Sequence, residues 1–248
     1  MNKNLFKKYT SSAMLAGLDE KKLTERSIKY YNARIIPFLP KNKKIKILEL
    51  GCGYGRFLKA LAEKNYTNAI GVDISQEQIS YAKNILNINN VEVCDAIKFL
   101  KGGKDKYDAI ILLDVLEHLN INQSISLIRL VNKSLKGDGI FIVQVPNALN
   151  PLTLMSYTDI THYRHYTVHS LHQSMILGGF NQVKYHELPV AIMGIKTFVQ
   201  YLVYKLIIKP IISLYMYSMI GYLMGGLFTP NILATASKDS RFKNVISK

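Results

Sequence analysis

The run Asp159-Ile160-Thr161-His162-Tyr163-Arg164-His165-Tyr166-Thr167 gathers an acid, two imidazoles and a guanidinium in a short stretch. Histidine exchanges a proton near neutral pH, a carboxylate can orient it, and a guanidinium grips an anion or a sugar. These are the parts needed to strip a proton from a hydroxyl. Another histidine, His118, stands in Asp114-Val115-Leu116-Glu117-His118-Leu119. Much earlier, Glu49-Leu50-Gly51-Cys52-Gly53-Tyr54-Gly55 sets glycines at alternate positions directly after an apolar run. Glycine lets the main chain turn sharply and approach a ligand closely. A dinucleotide fingerprint needs its third glycine at position 56, which is Arg56, so nicotinamide and flavin chemistry lose ground. Asp73 follows Gly55 by 18 residues and ends another apolar run. Its acceptor-only carboxylate suits a pair of ribose hydroxyls, and it equally suits capping of the next helix together with Ser75.

Holding such groups together takes a scaffold, and the hydrophobic pattern supplies one. Strand-like runs at 45–50, 69–72, 91–94, 109–113, 140–145, 183–188 and 232–236 alternate with helical patterns at 56–64, 76–87, 121–135 and 168–177. That alternation reads as βαβ units around a mostly parallel sheet. Ser75 is placed to cap the second of these helices and Gly137 to end the third. Residues 18–39 read as a leading helix stopped by Pro37 and Pro40, lying over the site as a lid or simply packing. In an open α/β sheet, ligands bind at the carboxyl ends of the strands, which is where the loops holding His118 and the 159–167 segment fall.

On these residues the chain resembles the class I methyltransferases, whose first motif reads apolar-apolar-Glu-Leu-Gly-Cys-Gly-x-Gly. The likeness continues in register through Gly71-Val72-Asp73-Ile74, Val93-Cys94-Asp95-Ala96, Tyr107-Asp108-Ala109-Ile110, the Asp114 to Leu119 run and Leu135-Lys136-Gly137-Asp138-Gly139, and covers roughly residues 30–188. The resemblance implies an α/β fold: a doubly wound, seven-stranded, mostly parallel sheet with an antiparallel last strand. It implies S-adenosyl-L-methionine as cofactor. Gly51 and Gly53 would then lie against its methionine portion above Glu49, with Gly55 completing the loop, Asp73 on the ribose and Asp95 on the adenine amino group. Ile74, Ala96 and Leu113 fill out the expected lining, and Cys52 beside them reads as a small packing residue, with no base in sequence to activate it. The segment after the fifth strand resembles the Asp-x-Thr-His-x-Arg-x-x-Thr run of methyltransferases encoded with bacterial surface polysaccharide and lipopolysaccharide pathways. That likeness implies O-methylation of a sugar, hydroxyl or phosphate-like group of a glycan precursor. Asp159 would orient His162, His162 would take the proton, and Arg164 would hold an anionic or sugar group or else pair with Asp159. His118 would contact cofactor or acceptor, or serve as a hydrogen bonder at a helix end. Glu117 would orient its neighbours, and His169 and His172 would be surface residues.

The chain has 248 residues, 48% of them hydrophobic, with a formal net charge of +15. That suffices for one core, read as a leading helix or lid at 1–44, a cofactor-binding core and active-site loop at 45–188, an apolar helical insertion at 189–230 and a closing strand at 231–248. The positive field favours anionic partners. A nucleic-acid methyltransferase is nonetheless disfavoured, because the fourth strand lacks the Asn/Asp-Pro-Pro-aromatic motif of base amino-methylases and no nucleic-acid module is apparent. A quinone-type small-molecule methyltransferase is the nearer rival to the glycan reading. Cys52 and Cys94 are the only cysteines, which with the absence of a signal-like apolar run points to the cytosol, and no zinc spacing is present, so no metal is expected. Residues 192–228 are dense in Ile, Leu, Tyr and Met, and 210–228 are 19 uncharged residues, near the length of a membrane span, including the Gly221-to-Gly225 spacing of packed membrane helices. A closing strand after this stretch requires the chain to return, so a helical hairpin lying on the cytoplasmic face of the inner membrane is expected. A homodimer interface or a lid over the substrate is the alternative.

Overall fold

A computed structural model of the chain describes residues 19–151, 159–223 and 226–238. The strands are β1 (Ile47–Leu50), β2 (Ala69–Asp73), β3 (Val91–Val93), β4 (Tyr107–Leu113), β5 (Leu135–Pro146), β6 (Gln182–Glu187) and β7 (Asn231–Ser237). They form one sheet in the order β3-β2-β1-β4-β5-β7-β6. Pairing is parallel from β3 to β5, while β7 runs antiparallel to both β5 and β6. The strand order reverses between β1 and β4, which opens a crevice at their carboxyl ends. Expectation and structure agree on this class of fold.

Strand side chains alternate between two buried faces, as the period of a strand demands. Leu48, Leu50, Ile110, Leu112 and Phe141 pack against α4 (Ala96–Gly102), α5 (Ile121–Ser134) and α6 (Val168–Leu177). Ile47, Ile111, Ile140 and Ile142 face the opposite layer, which includes α2 (Arg56–Glu63) and α3 (Gln76–Asn84). The leading helix α1 (Glu20–Arg34) joins this second layer: Tyr31 meets Phe57 edge-on at 5.2 Å, and Arg56 pairs with Glu20 at 2.5 Å.

Several expectations are corrected. The leading helix ends at Arg34 and hands over to a tight turn at Ile36–Phe38, because the residue before a proline is pushed out of the helical region. Leu18 lies outside the described residues. Helix α4 was not anticipated; Asp95 caps it by accepting the Lys98 N–H at 3.0 Å. Gly137 does not end a helix: α5 stops at Ser134, and Gly137 lies inside β5, whose Leu135 already pairs with Tyr107. Ser75 caps α3 as expected.

The hairpin expected over 192–228 is instead one continuous helix, Ile195–Ile220, built from α7 (Ile195–Val203), a widened turn at Tyr204–Ile208 and α8 (Lys209–Ile220). The widened turn precedes Pro210, which has no N–H to donate to the preceding turn and would clash with its carbonyl, so loosening that turn keeps the helix unbroken. Of the Gly221-to-Gly225 spacing, Gly225 lies outside the described residues.

Candidate active site

The glycine loop follows β1 and turns into α2 through left-handed backbone, with φ of +76° at Gly51, +50° at Gly53 and +73° at Gly55. Gly51 also needs its bare Cα, since an added Cβ would sit 2.4 Å from Val115 Cγ2. Asp73 closes this half of the site. One of its oxygens accepts the Gly53 N–H and the other the Ser75 N–H, each at 2.8 Å, so the loop and the start of α3 are locked to one carboxylate. Each oxygen keeps a second lone pair for a ligand.

Above the loop lies a cavity of about 210 Å³ at the switch point of the sheet. Of the residues expected at the cofactor, Gly51, Gly53, Asp73, Ile74, Asp95 and Ala96 line it, and so does His118. Four others are not in its wall. Glu49 is buried within β1, its carboxyl held well above the usual range by burial and by Asp73. Cys52 is buried, and burial pushes its thiol up, which agrees with a packing role. Gly55 serves as the N-cap of α2, and Leu113 belongs to the core.

The sequence reading passed over Asp114 and Thr161. Asp114 sits in the cavity wall with φ of +54°, a left-handed conformation that aspartate tolerates better than most residues. Gln144 donates to its Oδ2 at 2.8 Å, and Tyr30 of α1 donates to Gln144 Oε1 at 2.5 Å. The leading helix therefore both packs and reaches the site. Asp114 is open to solvent through the cavity yet enclosed by protein on its other sides, and burial raises its carboxyl to about 6.

Thr161 changes the roles expected for the acceptor half. Its hydroxyl donates to Asp159 Oδ1 at 2.6 Å and lies 2.8 Å from His118 Nδ1. A threonine hydroxyl has one proton; once it goes to the carboxylate, Nδ1 of His118 must be the donor and Nε2 carries the lone pair. Burial, with His162 adding to it, pushes His118 down to about 4, so it is neutral at physiological pH. Asp159 thus orients His118 through Thr161. Its contact with His162 is longer, 3.8 Å from Oδ2 to Nε2, so the expected Asp159–His162 hydrogen bond is not formed.

His162 nevertheless joins the cluster, with its ring 4.7 Å from His118 and 5.8 Å from His165. Arg164 places its guanidinium over the Tyr166 ring at 5.1 Å. Glu117 is fully buried, its carboxyl held well above the usual range by burial and by Asp114. Its carbonyl accepts the Tyr163 N–H at 2.7 Å, stitching the Leu116–His118 turn to the 159–166 segment. His169 and His172 are exposed, as expected.

The long apolar helix flanks this face. β6 is antiparallel to β7 and so parallel to β5, which puts Glu187 at the same edge of the sheet as the cavity. Glu187 holds the middle of the helix, accepting from Tyr204 at 2.5 Å and Lys209 at 2.7 Å. The helix has the length and composition of a membrane span, and none of its most apolar 18-residue window is buried.

Comparison with known proteins agrees with this site. The profile of a family described as a methyltransferase domain matches residues 24–185, and the chain belongs to that family. A protein of Methanocaldococcus jannaschii is 41% identical over 102 residues, covering 41% of this chain and 37% of its own. A ubiquinone biosynthesis O-methyltransferase of Rickettsia akari is 30% identical over 129 residues, covering 50% and 47%. The chain thus spans less than half the length of these curated relatives. The crystal structure of a SAM-dependent methyltransferase from Archaeoglobus fulgidus superposes with a TM-score of 0.61 at 23% identity, covering 88% of this chain and 99% of that one. Fold and cavity are those of an S-adenosylmethionine-dependent methyltransferase.

Proposed function

We propose that the protein transfers the methyl group of S-adenosylmethionine to a hydroxyl oxygen of an amphiphilic acceptor, at the cytoplasmic face of a membrane. The observation that carries this reading is His118, which lines the cofactor cavity while Asp159 and Thr161 turn its lone-pair nitrogen toward a substrate. Methyl transfer from a sulfonium is a direct displacement, so the protein aligns acceptor, methyl and sulfur and arranges for the acceptor's proton to leave. Asp73 takes the ribose hydroxyls, Asp95 with Ala96 the adenine, and the main chain of Gly51 and Gly53 the methionine portion. The cationic sulfonium lies toward Asp114. The acceptor hydroxyl loses its proton at the cluster of His118, His162 and Glu117.

The amphiphilic nature of the acceptor is supported by the helix beside the cavity. Leu206, Ile211, Leu214 and Met219 are each 60–70% exposed, an apolar surface that is costly to leave in water. A crossing helix would draw Lys205, Lys209 and Glu187 to the bilayer centre along with the sheet edge, whereas a helix lying in the interface keeps them at headgroup level. The anionic clamp expected of Arg164 finds less support, because its guanidinium covers the Tyr166 ring. A ring or chain hydroxyl on a prenyl-like tail fits the site better than a glycan phosphate, and the likeness to the R. akari O-methyltransferase agrees.

The test is to incubate the protein with methyl-labelled cofactor and either a total lipid extract in vesicles or a water-soluble sugar-nucleotide fraction. Label entering the organic phase, in base-stable ether linkage, is the expected result. Label confined to the aqueous fraction would return the acceptor to the glycan class.

A further inference from the structure

Glu117 is 0% exposed, and neither of its carboxylate oxygens accepts a hydrogen bond from another described residue. Burying an ionised carboxylate without a partner is costly, and protonating it removes the charge yet leaves polar atoms unmatched. A cation answers both needs. One oxygen of Glu117 and one ring nitrogen each of His118 and His162 lie within 4.8 Å of one another. An independent sign comes from the Asp159–Thr161–His118 chain, which anchors one imidazole nitrogen and presents the lone pair of the other. Such outer hydrogen bonds orient metal-bound histidines and make them better ligands.

We propose that Glu117, His118 and His162 bind one divalent transition-metal ion, and that its open positions hold the acceptor's oxygen. Two imidazoles and a carboxylate favour zinc, iron(II) or manganese(II) over magnesium and calcium, which prefer oxygen ligands throughout. Ligand atoms around zinc lie about 3.3 Å apart, so loading draws the three side chains together by about an ångström. The motion falls to His162, which sits on a loop segment between β5 and α6. Because His118 also lines the cofactor cavity, an oxygen on the ion faces the methyl donor.

The chemistry rests on the methyltransferase reading given above. The ion lowers the pKa of the bound hydroxyl, whose proton passes to solvent. The oxygen then forms the new bond to the methyl carbon as the carbon–sulfur bond breaks, and the sulfonium becomes a neutral thioether. His118 acts there as a ligand, and the ion takes over the activation a base would otherwise supply. Spacing rules miss the site because Glu117 and His118 are adjacent while His162 arrives from a separate segment.

The test uses the full chain, stripped with a chelator, then titrated with cobalt(II) by visible absorption and with zinc by calorimetry. One ion per chain is expected, with the ligand-field bands of a low-coordinate site. His162→Ala and Glu117→Gln should each weaken binding by about 100-fold or more, given that even outer-shell losses cost 10- to 100-fold. Affinity for S-adenosylmethionine, measured on the same samples, should hold. His162→Ala keeps the test decisive if Glu117→Gln does not fold. Failure of the wild type to bind an ion stoichiometrically, with or without cofactor, overturns the proposal, as does equal binding by His162→Ala. Methyl transfer by metal-free protein at full rate also overturns it, while leaving the methyltransferase reading intact. Metal binding without transfer to any acceptor would do the opposite.

Discussion

The two halves of the cavity are built differently. On the cofactor side, a loop and a strand end joined by short connections do the work with main-chain groups, and Asp73 is held by N–H donors at 2.8 Å on both oxygens. On the acceptor side, the Leu116–His118 turn and the 159–166 segment are far apart in sequence and meet through side chains, around a Glu117 carboxylate without a neighbouring donor. The difference teaches that recognition of a constant ligand can be written into backbone geometry. Handling a reacting proton requires titratable groups in unusual environments.

The contrast predicts separable effects. The largest is at His118: replacement by Ala should lower turnover by about 10² to 10⁴-fold while cofactor affinity stays near wild type, as calorimetry beside single-turnover kinetics would show. Loss of cofactor binding in this variant would erase the division between the halves. Asp73→Ala should do the reverse. It removes charge-assisted hydrogen bonds to the ribose and the tie to Gly53, and should weaken cofactor binding by about 2–4 kcal/mol. Unchanged affinity would take Asp73 out of the site.

Thr161→Val tests the relay more finely. It cuts the path from Asp159 to His118 while keeping side-chain volume, so turnover should fall by roughly tenfold, with the cofactor constant unmoved. Thr161→Ser should restore it, and failure of that rescue would make Thr161 a packing residue.

Asp114 gives a pH-dependent effect. Its carboxyl titrates at about 6, above the ordinary 3.8, so the charge that favours a sulfonium appears as pH rises through 6. Cofactor affinity should therefore rise between pH 5 and 7 in the wild type and be flatter in Asp114→Asn. For folding the sign is opposite: a raised carboxyl favours the fold fully below pH ~4, and that contribution fades as pH rises through about 6. Because the cavity admits solvent, the stability change on Asp114→Asn should stay within about 1 kcal/mol, and thermal melts at pH 4.5 and 7.5 would measure it.

The smallest effect on chemistry and the clearest on location should come from Leu214→Glu. Sedimentation with anionic vesicles should drop and become less sensitive to salt, with cofactor affinity unchanged. A stable detergent-free dimer that ignores vesicles would assign this surface to a second copy of the chain.

Much of the fold can be read without coordinates. The strand runs are bounded by turn residues and alternate with helical patterns, and their order follows from local hydrophobic periodicity. The glycine loop and Asp73 are legible for the same reason, since their geometry depends on neighbours in the chain. Helix α4 escaped notice because seven residues are too few for a clear period. Gly137 misled because a glycine after a helix and a glycine within a strand bend look alike in one dimension.

What the tertiary structure alone decided concerns side chains meeting across segments. His162 was chosen from sequence because an acid stands three positions before it, yet the folded chain turns Asp159 toward Thr161 and so toward His118. Likewise, 192–228 announced an apolar element without its shape. Only the grip of Glu187 on Tyr204 and Lys209 shows one helix pinned at its middle along the active edge. Local pattern determines which residues are apolar and where the backbone can turn; partnership between polar groups is a property of distances through space, and those are set when the sheet closes.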